Sequence, residues 1–156
     1  AHTIMHQEFC KIFSRFVEEN NIKENEFGLE ITETAELEDT KKAGESLERL
    51  KKRGIKIALD DFGAGYASLK YIRDLPIDVV KLDRHFTSNI SDPSTSRLIK
   101  FVSDVCAELN LEMIGEGIET EKEKNMMIER GCLTGQGFLM HMPSFIEDIK
   151  KENNDG

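Results

Sequence analysis

Residues able to do chemistry stand near the ends of short apolar runs. Glu30 and Glu33 close the run Phe27–Ile31, Asp60-Asp61 closes Ile55–Leu59, and Lys81 and Asp83 lie in and just after Ile77–Leu82. Glu116 and Glu119 follow Leu111–Ile114, and Gln136 sits within Leu133–Met140. If the runs are parallel strands, their C-terminal ends face one side, which is where parallel α/β folds build their sites. Four carboxylates (Glu30, Asp60, Asp61, Glu116), a lysine and an amide then share one rim. Oxygen ligands without a Cys or His pair suit Mg²⁺ or Mn²⁺ rather than zinc. Adjacent carboxylates suit a two-metal site, in which one Asp bridges ions about 3.5–4 Å apart and water is activated for phosphodiester hydrolysis. Lys81, in an otherwise apolar strand, needs an acidic partner. Beside such a site it positions a nucleophile or offsets charge on the phosphorane.

Each residue also has an ordinary use. Loop acids cap helices or face solvent, and Asp60-Asp61 ahead of Phe62-Gly63-Ala64-Gly65 is a turn-forming string. Glu116-Gly117 fits a plain βα turn, and Gln136 between two glycines fits either role. Gly63-Ala64-Gly65 is no Walker A loop and lacks the third glycine of a dinucleotide fingerprint, so a hinge or loop-closing role suits it better. His85 and His141 cluster with no other ligand and read as surface side chains.

The elements that must position these residues are legible from periodicity and caps. Met5, Phe9, Ile12, Phe13, Phe16 and Val17 give an amphipathic first helix. The spacing predicts a helix over Thr40–Arg53 ending at Gly54, a short helix over 66–74 ended by Pro76, and a helix opened by Asp92-Pro93 with Leu98, Val102, Val105 and Leu109 as its stripe. Thr120 with Glu123 and Ser144 with Glu147 are capping boxes for two more helices, the first stopping at Gly131. Leu133–Met140, broken by Gly135 and Gly137, is the fifth strand region. A helix followed by five strand–helix units means an α/β fold with a parallel sheet. An open doubly wound sheet and a (β/α)₈ barrel both fit this order, but five units cannot close a barrel, which takes at least about 200 residues.

Composition narrows the function classes. The 156 residues carry 21 Lys plus Arg against 30 Asp plus Glu, a net charge of −9, with 38% apolar and 33% charged residues. No basic block supports binding to a nucleic-acid polymer or an anionic membrane, and no apolar run reaches the ~18 residues of a membrane span. No secretory leader precedes the first helix. Cys10, Cys106 and Cys132 are scattered, without a CxxC, and read as reduced thiols of a cytoplasmic protein.

Glu30-Ile31-Thr32-Glu33, Asp60-Asp61-Phe62-Gly63-Ala64-Gly65-Tyr66, Lys81-Leu82-Asp83, Glu116-Gly117-Ile118-Glu119 and Gln136-Gly137-Phe138 follow one another in an order that resembles the EAL family of cyclic-di-GMP phosphodiesterases, from about Met5 to Ser144. The resemblance implies a modified (β/α)₈, TIM-type barrel that linearises cyclic di-GMP to pGpG with two Mg²⁺ or Mn²⁺ ions. It implies that Glu30 and Asp60 are metal ligands, Asp60 bridging, and that Asp61 and Glu116 also serve the metals, with Glu116 a candidate general base. Lys81 would hold the attacking water and Gln136 would support the site. Glu33 would steady the loop after Asp60-Asp61, which the family also ties to dimerisation, and Glu119 would contribute less directly. Ile118 and Phe138 replace the commoner Val and Tyr, both conservatively. The Glu-Ala-Leu signature, the arginine after it and an Asn-bearing strand end do not occur in the sequence. Residues 1–156 therefore read as a single partial domain: an incomplete barrel of about five parallel strands alternating with helices, its N-terminal strands absent. Such a chain is expected to be inactive alone and to self-associate through exposed sheet edges, where opening the barrel uncovers apolar surface and unpaired backbone. The alternative from another class is a non-catalytic cyclic-di-GMP sensor or protein-interaction module of the same descent.

Overall fold

The first four strands alternate an apolar face with a more polar one, and that alternation organises the fold. The computed structural model describes residues 7–20, 22–23, 27–33, 37, 39–64 and 68–145. Strands β1 (Gly28–Thr32), β2 (Lys56–Phe62), β3 (Val79–Leu82), β4 (Glu112–Gly115) and β5 (Thr134–Gly135) form one parallel sheet in the order β1-β2-β3-β4-β5. The helices are α1 (Gln7–Glu19), α2 (Thr40–Lys51), α3 (Ser68–Asp74), α4 (Arg84–Ser88), α5 (Pro93–Glu108) and α6 (Glu121–Glu129). Strand order follows chain order without reversal. A doubly wound sheet reverses at a switch point, whereas same-handed crossovers running one way lay every helix on one face, as in a barrel wall. The sheet is a five-stranded stretch of TIM-type wall.

The helix-facing side is the core. Ile31, Ile57, Leu59, Val80, Leu82 and Met113 pack there against Leu47 and Leu50 of α2 and Ile99, Val102 and Cys106 of α5. Burying each such side chain contributes about 1.5–3 kcal/mol, which makes this face the main source of stability. At the sheet's first edge, Phe9, Phe13 and Phe16 of α1 stack along the helix, and Phe27 meets Phe13 edge-on at a centroid distance of 5.9 Å.

The opposite side, the inside of the wall, is a groove of about 360 Å³ lined by Gly28, Glu30, Lys56, Ala58, Val79, Lys81, Glu112, Ile114 and Gln136. Lys56 and Glu112 pair across it at 3.5 Å, and Thr134 Oγ1 reaches Glu112 at 3.5 Å. Residues at alternate positions of β1, β2 and β4 put charge there beside Ala58, Val79 and Ile114, so the inner wall is mixed, with an ion pair set among apolar side chains.

Local signals explain most boundaries. Asp39 accepts the Lys42 N–H at 3.0 Å and Asp92 the Thr95 N–H at 2.8 Å, and the Thr120–Glu123 capping box is complete. β2 carries Asp60 and Asp61 at its C-terminal end, as expected, and runs one residue further, to Phe62. Three other features differ from expectation. α5 buries Ile99, Val102 and Cys106, while Leu98 and Leu109 are exposed, because the helix is rotated by one position from the predicted stripe. β5 holds only Thr134–Gly135 of the predicted 133–140 run. The five-residue α4 was not predicted at all, being too short to show a period. Met5, Cys10's side chain, residues 65–67 and the second half of the Ser144–Glu147 box lie outside what is described.

Candidate metal centre

In a regular strand Asp60 and Asp61 would project to opposite faces. β2 is not regular there: its register against β3 shifts between Leu59 and Phe62, and Asp61 has φ of 56°. A bulge with one residue in the left-handed region re-aims side chains, and Asp tolerates that region better than most residues. Carboxylate oxygens of Asp60, Asp61 and Glu116 consequently lie within 4.8 Å of one another. Glu116 arrives from the end of β4, where its N–H donates to Leu82 O at 3.2 Å.

Lys81 rises from β3 into the middle of this group. Its Nζ lies 2.8 Å from Glu30 Oε1, 2.8 Å from Asp60 Oδ1 and 2.8 Å from Glu116 Oε1. Burial works against the charged ammonium, but the hydrogen bonds it donates to Asp60, Glu116 and Glu30 outweigh it and hold the Lys81 pKa above its ordinary value. Lys81 is thus a fixed cation. Burial, followed by the charges of Asp60 and Asp83, pushes the Asp61 carboxyl above its usual range. One ammonium faces four carboxylates, so the cluster keeps an excess of negative charge.

The rim gathers the other expected residues unequally. Gln136 Nε2 donates to Glu116 Oε1 at 2.7 Å, fixing that carboxylate from the last strand. Glu33, buried just beyond β1, accepts the Gly63 N–H at 2.8 Å, so it anchors the loop after Asp60-Asp61. Glu119 is not one of the close trio and pairs with Arg84 Nη2 at 2.8 Å. Glu30 shares Lys81 with the others but stands outside the close trio of Asp60, Asp61 and Glu116, its side chain 53% exposed.

The donor set fits a hard divalent cation. All three close ligand atoms are carboxylate oxygens, and the buried Asp60 Oδ1 has the Lys81 ammonium as its partner at 2.8 Å. One ammonium shared among Glu30, Asp60 and Glu116, with Asp61 close by, leaves negative charge that a divalent cation would offset.

A model of the EAL domain family matches residues 1–143. The chain belongs to the EAL domain family. The cyclic di-GMP phosphodiesterase PA2567 of Pseudomonas aeruginosa is 36% identical over 123 residues, which are 78% of this chain and 21% of that protein. The chain thus spans about a fifth of the length of that curated relative. The crystal structure of the EAL domain of Mycobacterium smegmatis DcpA superposes with a TM-score of 0.89 at 28% identity, covering 96% of this chain and 68% of that one. A complex of Klebsiella pneumoniae BlrP1 with manganese and cyclic di-GMP gives a TM-score of 0.78 at 26% identity, over 86% of this chain and 34% of that one.

This EAL domain also carries rim residues that the strand-end pattern did not single out. Arg84, Phe138 and His141 line a cleft of about 340 Å³ that opens beside Glu116 and Gln136. Arg84 was within reach of the same reasoning, since it follows Asp83 directly after β3. Phe138 and His141 were not, because they come from the irregular chain after β5.

Proposed function

We propose that this chain supplies the carboxylate–lysine portion of a phosphodiesterase site that hydrolyses cyclic di-GMP to pGpG with Mg²⁺ or Mn²⁺. The observation that carries this reading is the convergence of Asp60, Asp61 and Glu116 within 4.8 Å around a lysine that cannot shed its proton near neutral pH. The printed names of the relatives, phosphodiesterase and manganese–cyclic di-GMP complex, support the same chemistry. Asp60, Asp61 and Glu116 would hold the cations, with Glu30 joining from β1. Bound divalent cations supply Lewis-acid stabilisation of the phosphorane and make water a better nucleophile. Lys81 orients that water and offsets charge on the phosphoryl oxygens. Glu116 Oε1 is held by Lys81 and by Gln136, which fixes the carboxylate that is also the candidate general base. Glu33 keeps the bulged loop in register, and Glu119 stands apart, paired with Arg84 at the surface.

The setting belongs to the same proposal. Cys106 and Cys132 are free and buried, which suits a reducing cytoplasm. No helix among the described residues is long and apolar enough to cross a membrane. Residues 1–156, as one partial domain without a Glu-Ala-Leu segment, are proposed to be silent in isolation and to pair through β1 and β5, the outermost described strands.

The test is turnover of cyclic di-GMP by the protein at its full natural length, followed by chromatography of pGpG in Mg²⁺, Mn²⁺ or EDTA. Linearisation that needs the metal and falls by at least about 100-fold in Asp60→Asn supports the reading. Binding of cyclic di-GMP without turnover overturns it in favour of a sensor or interaction module.

A further inference from the structure

Helix α4 begins three residues after Lys81 and lies between the loop that follows β2 and the loop that follows β4. Each loop offers it bare backbone. At Gly63, φ +98°, a Cβ would stand 2.6 Å from Phe86 Cζ and closer still to Cε2. At Gly117, φ +65°, a Cβ would stand 2.5 Å from Arg84 Cγ and 3.0 Å from Arg84 Cβ and Cδ. Real Cβ contacts are not that short, and positive φ disfavours other residues at both positions. Gly63 is two residues from Asp61, and Gly117 immediately follows Glu116. The two glycines therefore let α4 press directly on the backbone next to two of the three close carboxylates.

The helix is itself well fixed. Asp83 caps it, accepting the His85 N–H at 2.8 Å, and the Asp83 N–H donates to Phe62 O at 3.3 Å. Thr87 and Ile90, at its end, are fully buried. Arg84 also pairs with Glu119, but those side chains are 65% and 41% exposed, and an exposed pair contributes little on its own. What Arg84 adds is its methylene stem laid over Gly117.

We propose that Arg84 and Phe86 are positioning residues, and that α4 is a brace which holds the Asp60-Asp61 bulge and the Glu116 loop at the spacing a divalent cation requires. The brace rests on the metal reading of the rim given above. Neither side chain touches a cation or substrate in this role. Each acts by fixing backbone next to a ligand, as supporting groups around metals do.

The experiment is a Mn²⁺ titration of the full protein, read by electron paramagnetic resonance of free Mn²⁺, with the thermal midpoint of every variant taken alongside. Arg84→Ala and Phe86→Ala are expected to weaken Mn²⁺ binding by roughly 10–100-fold, while Arg84→Met, which keeps the stem and drops the charge, stays within about threefold of wild type. Arg84 is exposed, so its variants keep the wild-type midpoint. If Phe86→Ala does not fold, Phe86→Leu and the two Arg84 variants decide the matter. Wild-type affinity in both alanine variants overturns the brace, and so does an Arg84→Met as weak as Arg84→Ala, which would assign the effect to the ion pair. A wild-type protein that binds no Mn²⁺ overturns the metal reading itself, and the brace with it.

Discussion

Lys81→Met removes the ammonium from the carboxylate cluster while keeping the length of the stem. Lys81 is 9% exposed, against 19% for Asp60, 16% for Glu116 and 53% for Glu30. Glu30 can turn to water, so the substitution strands chiefly Asp60 and Glu116, with Asp61 close by. Leaving a buried charge without its partner costs 3–5 kcal/mol, and the partial exposure here points to the low end, about 3 kcal/mol. A chain of this size loses roughly 2–4 °C of thermal midpoint per kcal/mol, so the variant in EDTA should melt about 6–12 °C below wild type. A divalent cation bound by Asp60, Asp61 and Glu116 offsets the same charges. Millimolar Mn²⁺ should therefore raise the midpoint of the variant by more than that of wild type and return most of the deficit. Scanning fluorimetry in EDTA and in Mn²⁺ reads both effects. A Lys81→Met midpoint within about 1 °C of wild type in EDTA refutes the reasoning, since the carboxylates would then not depend on the ammonium.

Three further outcomes follow from single contacts. Glu33→Ala removes the acceptor of the Gly63 N–H, and losing a hydrogen bond to a charged group, about 1.5 kcal/mol, should raise amide exchange at Gly63 roughly tenfold while Ile57 and Leu59 stay protected; unchanged exchange at Gly63 would show that Glu33 is no anchor. Burial pushes the Cys106 and Cys132 thiols up to about 11, so in a Cys10→Ser background at pH 8 iodoacetamide should label them about 100-fold more slowly in the folded protein than in urea, and comparable rates would contradict their placement in the core. Asp78 accepts the Ile57 N–H at 2.9 Å and pairs with Lys51 at 2.7 Å at the end of the sheet opposite the rim, so Asp78→Ala should cost about 2 kcal/mol of stability by denaturant titration with Mn²⁺ affinity unchanged; a parallel loss of affinity would argue against separating the two ends.

The order of the elements other than α4, most of the helix caps and the carboxylates and lysine of the cluster are legible in local sequence. Those features are local: a cap such as Asp92 or Thr120 acts within its own first turn, and the apolar period of a strand or helix is written in consecutive residues. The strand-end rule then placed Glu30, Asp60, Lys81, Glu116 and Gln136 on one side, because parallel strands share a direction whatever their register. The sequence could not show that Asp60 and Asp61 face the same way. Strand periodicity sends neighbours to opposite faces, and only the pairing of β2 with β3, with its register shift and the left-handed Asp61, turns the second carboxylate toward the first. The ion pair across the inner wall depended equally on register, since Lys56 meets Glu112 only once β2, β3 and β4 are laid side by side. Helix α4 escaped notice because five residues carry no period, and its use became visible only where Gly63 and Gly117, far apart in the chain, were found against Phe86 and Arg84. Residue types and directions are properties of short segments. The few ångströms that make a cluster of carboxylates into a cation site come from contacts between segments, and those exist only in the folded chain.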